Sequence, residues 1–236
     1  QRYILRKDSN KLETFSKELL ISGTDTSIVH LDSPTDGQAS TCVEGSKGLN
    51  GEIPLTIAAC DNGLIYDGSK FKTLFNTRDV DVIVWGARGY PGAVNSPEMY
   101  GWIETEDNTD IIKRISVKEP LDNPSNDPIV VGVFTFKKLD YFLNSVKKMK
   151  KRKALVNGEY YVDTCINDAI KLGLRCLIFN VDKYICWGTP DDLAIFKYWQ
   201  SCFHKWNSHS YSLSRDPNIS KEDLKKMEKD VSTSFS

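Results

Sequence analysis

The segment IAACDNGLIYDG, Ile57 to Gly68, decides how the rest of the chain is read. An apolar run, Leu55-Thr56-Ile57-Ala58-Ala59-Cys60, stops at Asp61-Asn62-Gly63, and Leu64-Ile65-Tyr66 resumes the apolar pattern. A run of that length with β-branched residues reads as a buried strand. Asn62 and Gly63 let the backbone turn sharply, which leaves Asp61 projecting from the strand's carboxyl end. In an open α/β sheet, ligands gather at that end of the strands.

The same grammar extends to both sides. Upstream, Tyr3 to Leu5 reads as a strand, Leu12 to Leu20 as a helix spaced on Leu12, Phe15 and Leu19, and Ile28 to Leu31 as a strand. Pro34 to Gly37 breaks the chain, and a helix is expected from Gln38 to about Ser46. Downstream come a helix over Lys70 to Phe75 and a strand over Val82 to Trp85. Tyr100 to Glu106 and Ile111 to Val117 alternate around Asp107-Asn108, an antiparallel hairpin, and Ile129 to Phe136 is a strongly apolar strand.

Helices follow over Lys137 to Met149 and Tyr161 to Leu172, the second closed by Gly173, and then a strand over Leu174 to Val181. Thr189-Pro190-Asp191-Asp192 spells a capping box with proline in the first turn, opening a helix that ends near Trp206. Its face carries Leu193, Phe196, Trp199, Cys202 and Phe203. The class expected is therefore α/β, three layers around a mixed, mainly parallel sheet. We expect one domain over residues 1–211 and a polar tail over 212–236 with a short helix from Ser220.

Composition excludes several classes of function. The chain has 236 residues with 31 Lys and Arg against 32 Asp and Glu, a formal charge of −1. Such a chain has no global field to recruit nucleic acid. The basic run Lys147 to Lys153 completes a helix C-terminus, where cations complement the macrodipole. No window approaches the apolar length of a membrane span, so no membrane partner is expected and a cytoplasmic location is the default. The six cysteines include no CxxC pair and read as free thiols, and the three histidines are not arranged as metal ligands. The chain opens on Gln1-Arg2-Tyr3-Ile4-Leu5-Arg6, a strand already under way, so a fragment or a mature piece of something longer is expected.

Three places could carry chemistry. Asp61 suits a divalent cation held by one or two carboxylates together with substrate phosphates; it equally suits capping of the turn that follows. Gly37 beside a helix start admits close approach of a ligand, and Gln38 offers a donor and an acceptor to a base edge; ordinary capping explains both as well. Lys118, after the strand Ile111 to Val117, is a point charge suited to phosphate, although lysines are common at strand ends.

Taken in order, Asp61, Tyr100-Gly101-Trp102-Ile103, Ile115-Ser116-Val117-Lys118-Glu119-Pro120, Val131 to Phe136, Gly158-Glu159-Tyr160-Tyr161-Val162-Asp163 and Trp187-Gly188-Thr189-Pro190-Asp191-Asp192-Leu193 resemble the nucleotidyltransferases that make nucleotide sugars. The resemblance spans roughly Tyr3 to Trp206. It implies a GT-A-like, Rossmann-related fold that joins a nucleoside triphosphate to a sugar-1-phosphate, or a similar phosphorylated small molecule, and releases pyrophosphate in surface-polysaccharide precursor synthesis. By that likeness Gly37 and Gln38 face the base, Asp61 holds Mg²⁺, and Lys118 contacts the acceptor phosphate. Gly101, the segment around Phe134, Glu159 and Asp163 line the substrate pocket.

The chain departs from the family pattern twice. The family's Gly-rich opening loop is not among these residues, and Cys186 stands where many relatives have a second metal-binding aspartate. A non-catalytic relative that binds a nucleotide sugar is therefore the alternative reading. A glycosyltransferase would need an Asp-x-Asp motif ending a strand, whereas Asp79-Val80-Asp81 precedes one. The apolar face of the Asp191 to Trp206 helix would serve a homo-oligomer as readily as a core.

Overall fold

In the computed structural model, residues 1–8, 12–21, 25–217 and 219–233 are described. The elements run β1 (Arg2–Arg6), α1 (Leu12–Ile21), β2 (Ser27–Leu31), α2 (Gln38–Ser46), β3 (Leu55–Ala58), β4 (Asn62–Ile65), α3 (Gly68–Asn76), β5 (Val82–Ala87) and α4 (Pro91–Asn95). They continue with β6 (Gly101–Thr105), β7 (Ile112–Val117), β8 (Ile129–Phe136), α5 (Leu139–Lys151), α6 (Val162–Lys171), β9 (Cys176–Asn180), β10 (Lys183–Cys186), α7 (Pro190–Lys205) and α8 (Lys221–Thr233). Two compact units result: Gln1–Ala59 with Ile65–Lys183, and Cys60–Leu64 with Tyr184–Ser236. The boundary expected at Tyr211 falls inside the second unit.

The first unit is organised by β5. All six of its residues are buried, because layers cover both faces of the strand. On one face Val82 and Val84 join Phe134 and Phe136 of β8, Phe142, Val146 and Met149 of α5, and Val162, Cys165 and Ile166 of α6. On the other face Trp85 meets Phe71 of α3 at 4.7 Å and Phe179 of β9 at 4.9 Å between ring centroids. The Trp85 indole N–H donates to Thr135 Oγ1 at 3.2 Å, so the one polar atom of that ring is satisfied inside the sheet. This is the three-layer arrangement expected.

The main sheet has the order β7-β6-β8-β5-β9, with β3 added beside β8, and β1 pairs with β2 in a separate ribbon. It is mixed, but not mainly parallel. Among the described strands the parallel pairs are β1 with β2 and β5 with β9, and β8 runs antiparallel to β3, β5 and β6. The antiparallel pairs come from the β6–β7 hairpin and from β8, which is inserted between β6 and β5 antiparallel to both, so that β7 and β8 run the same way on either side of β6. The strand before Asp61 is also less buried than its composition suggests. Only Ile57 of β3 is buried, because the strand's described pairing is with β8 alone and one side chain in two faces the core.

One ion pair ties α5 to α6. Arg152, capping the end of α5, donates through Nε and Nη2 to the carboxylate of Asp168, at 2.7 to 3.0 Å. The Asp168 side chain is fully buried, so the guanidinium is what makes its charge tolerable there.

The second unit carries β4 and β10 as a two-stranded ribbon and adds α7 and α8. Both helix starts are written in the sequence. The Asp192 N–H donates to Thr189 Oγ1 at 3.1 Å while that hydroxyl donates to Asp192 Oδ2 at 2.8 Å, and Ser220 and Asp223 repeat the device at α8 with 3.0 and 2.7 Å. His204 Nδ1 accepts from the Leu213 N–H at 3.0 Å, which fixes the histidine in a structural role.

Candidate functional site

Lys118 is placed by the β6–β7 hairpin. The register pairs Gly101 with Val117, so Lys118 is the first residue beyond the ladder, and its N–H donates to the Tyr100 carbonyl at 3.0 Å. Its backbone is left-handed, with φ +60°. A side chain other than glycine there stores about 1–3 kcal/mol of strain, and such residues cluster at functional sites. The ammonium lies 5.8 Å from the centre of the Tyr161 ring. That ring belongs to the turn that opens α6, so the hairpin end and the helix start share one neighbourhood.

Asp163, in the first turn of α6, completes it. Its carboxyl lies so close to the α-carbon of Gly101 that a Cβ on that glycine would collide with Oδ2. Asp163 as a residue retains some exposed surface, but its carboxyl group is enclosed by protein. Burial pushes its pKa up to about 6, against the opposing pull of Lys118. The Tyr161 phenol is also raised, by burial first and then by the negative charge of the nearby Glu159 carboxylate. Glu159 itself is exposed.

Gly37 and Gln38 reach the same place by a backbone clasp. Tyr160 N–H donates to Asp36 O and Ala39 N–H donates to Tyr160 O, each at 2.9 Å. Gly37 sits in that clasp at φ +131°, and a Cβ there would stand 2.5 Å from Tyr160 N and 2.7 Å from its O. Glycine is therefore demanded by the clasp itself. Gln38 Oε1 accepts from the Val162 N–H at 3.5 Å. The first unit thus brings together Gly37, Gln38, Gly101, Lys118 and Asp163, with Glu159 alongside.

Phe134 stands apart from that cluster. Its ring is fully buried in the core, on a residue of β8 paired with Ile57 and Val84, so only the backbone of its segment is left to face a ligand. Tyr161 is the residue that sequence reasoning passed over. Its position between Glu159 and Asp163, within Gly158 to Asp163, is the signal the sequence carries.

In the second unit, Asp61 is exposed at the link between β3 and β4, and its carbonyl accepts the Trp187 N–H at 2.8 Å. A Cβ on Gly188 would stand 3.3 Å from Asp61 Oδ2 and 3.6 Å from Cys186 Sγ, so carboxylate and thiol flank the same glycine. The Cys186 thiol donates to Asp192 Oδ2 at 3.5 Å, and burial raises its pKa. The cap of the next helix, α3, is Asp67, which accepts from Ser69 N at 2.8 Å and Lys70 N at 3.2 Å. Capping that helix is thus another residue's task. Among the described residues no group of three or more His, Cys, Asp or Glu is arranged around a common point. A lone carboxylate fits Mg²⁺ in the manner in which that ion takes most of its ligands from substrate phosphates and water. Asp81 of the Asp-x-Asp spelling accepts the Arg175 N–H at 2.9 Å and so anchors the entry to β9.

No helix among the described residues is long and apolar enough to cross a membrane. No family model and no curated protein matches the sequence. Solved structures do match. A nucleoside-diphosphate-sugar pyrophosphorylase from Vibrio cholerae superposes with a TM-score of 0.65 at 17% identity, over 83% of this chain and 79% of that one. A Bacillus anthracis protein assigned as a glucose-1-phosphate thymidylyltransferase and solved with sucrose gives 0.64 at 17%, over 94% and 78%. The inositol-1-phosphate CTP transferase of T. maritima gives 0.58 at 14%, over 81% and 71%. At these identities the shared property is the architecture: this chain has the fold of the sugar-1-phosphate nucleotidyltransferases.

Proposed function

We propose that the protein transfers a nucleotidyl group from a nucleoside triphosphate to a sugar-1-phosphate, or to a similar phosphorylated small molecule, in a Mg²⁺-dependent reaction. An oxygen of the acceptor phosphate attacks the α-phosphorus in line, the α–β phosphoanhydride bond breaks, and pyrophosphate leaves with the electron pair. No protein nucleophile takes part, and alignment with charge neutralisation supplies the acceleration. Lys118 receives the acceptor phosphate. The absence of a side chain at Gly101 seats the Asp163 carboxyl there, whose charge acts on Lys118 and helps position it; Glu159 hydrogen-bonds the acceptor's hydroxyls, and the Gly37-Gln38 turn faces the base. Asp61 is the residue that would hold Mg²⁺, which when bound neutralises phosphate charge.

The observation that supports this reading most is the left-handed Lys118, held at the hairpin end beside Gly101 and a buried Asp163. A lysine kept in a strained backbone next to a carboxyl enclosed by protein is costly as architecture and useful as a positioned phosphate receptor. The setting we propose is the supply of precursors for surface polysaccharide, in the cytoplasm. The test is pyrophosphate release measured for the four common nucleoside triphosphates against a panel of sugar-1-phosphates and phosphocholine. Turnover with one pair is expected; a folded protein that turns over none of them overturns the catalytic reading.

Cys186 beside Asp61 favours a second reading, a nucleotide-sugar-binding regulator or scaffold without turnover. A thiol is a poor ligand for a hard cation. That reading predicts saturable binding of a nucleotide sugar by calorimetry together with no pyrophosphate release.

A further inference from the structure

The outer stripe of α7 is the feature that a nucleotide site does not account for. Ile195, Tyr198, Trp199 and Trp206 are 59%, 42%, 55% and 57% exposed, while Ser201 on the opposite side of the same helix is buried. The spacing of Ile195, Tyr198 and Trp199 places them on one helical face, and Trp206, the residue that caps α7, follows seven positions after Trp199 and continues the stripe past the helix end. A helix and its cap that turn two tryptophans, a tyrosine and an isoleucine to water mark an interaction surface, since lone exposed apolar residues are ordinary but a continuous stripe is not.

Charge says what fits it. The stripe begins at Asp191, exposed in the first turn of α7, and its basic end is Lys205, exposed in the last turn. Asp191 is four residues before Ile195 and Lys205 is seven after Tyr198, so both stand on the apolar face or at its border. Two copies laid parallel would oppose like charges at each end. Laid antiparallel, they bring each Asp191 to the Lys205 of the other copy, with the aromatic stripe between. We propose that α7 is the contact through which two copies of this chain pair, antiparallel and related by a two-fold axis. An interface of that kind is self-complementary, as a single helix acidic at one end and basic at the other requires.

The size of the surface sets the strength. Each aromatic ring carries about 150–250 Å², so the exposed parts of Tyr198, Trp199 and Trp206 come to roughly 230–390 Å² per copy. With Ile195 and the flanking side-chain stems, a pair of copies approaches the roughly 1,000 Å² that a specific association needs. The dimer is therefore reversible and depends on concentration.

Sedimentation velocity on the full chain over a rising concentration series tests this. A monomer that converts to a dimer is expected, with tryptophan emission moving to the blue as it does so. Trp199→Asp should keep the chain monomeric throughout, with far-UV circular dichroism confirming that the helices persist. Lys205→Glu should weaken pairing several-fold, and Asp191→Lys combined with Lys205→Glu should restore it, because both ends then carry the reversed charges. A wild-type chain monomeric at every concentration overturns the proposal. So does a dimer indifferent to Trp199→Asp, or a double reversal that pairs no better than Lys205→Glu. Should Trp199→Asp fail to fold, the charge reversals and the wild-type emission shift decide.

Discussion

The carboxyl of Asp163 is packed against the α-carbon of Gly101, and this contact links the start of α6 to the β6–β7 hairpin. A consequence appears in stability against pH. The Asp163 pKa is raised to about 6 by burial, whereas an unfolded aspartate titrates near 3.9. Between those values the native state holds a proton that the unfolded state has released, so stability falls as pH rises from about 4 to above 6, by up to about 3 kcal/mol. Asp163→Asn removes that dependence. Urea unfolding at a series of pH values should show the variant more stable than wild type at pH 7 and the two converging near pH 4. A constant difference across the range would show that Asp163 is not buried as described.

Lys118 separates function from stability. Lys118→Gly removes the ammonium and relieves the left-handed backbone. The melting temperature is expected to hold or rise, while kcat/KM for nucleotidyl transfer falls about 100-fold or more, the scale of losing one positioned charge donor. Lys118→Ala should lose the same activity and keep the strain. Steady-state kinetics with thermal melts check both, and a drop in melting temperature for the glycine variant would contradict the strain argument.

Asp61 is exposed, so its removal should scarcely disturb folding. Asp61→Ala is expected to abolish Mg²⁺-dependent pyrophosphate release and to leave the melting temperature within the ordinary range of surface substitutions, about ±0.5 kcal/mol in stability. A Mg²⁺ titration of activity for both proteins is the measurement. A large loss of stability would instead make Asp61 a structural turn residue.

Arg152 and Asp168 form a test of the scaffold alone. Arg152→Ala leaves a buried carboxylate without its counter-charge and should cost about 3–5 kcal/mol. Replacing both partners, Arg152→Met with Asp168→Leu, should recover most of that loss, because it is the uncompensated charge that destabilises. Chemical denaturation of the three proteins gives the comparison.

How far the sequence was legible depends on the range of the physics involved. Ile129 to Phe136 reads as a strand end for end with β8, and Thr189 with Asp192 and Ser220 with Asp223 announce α7 and α8, because apolar runs and caps act within a few residues. The strands β4 and β10 do not show in the sequence, since none of their residues is buried and β4 opens on Asn62-Gly63, which reads as a turn. Nor did periodicity show which way β8 would run.

The sequence alone determined most of the elements, the starts of α7 and α8 and the alternation of strand and helix, for each of these follows from spacing and local hydrogen bonding. Tertiary structure decided the candidate site. The Tyr160 backbone that makes Gly37 obligatory, the glycine that admits the Asp163 carboxyl, and the burial that raises that acid's pKa all arise between residues roughly sixty to more than a hundred positions apart in the chain. Contacts at that separation form only when the packed core brings the segments together, and a carboxyl's proton affinity follows from what then surrounds it.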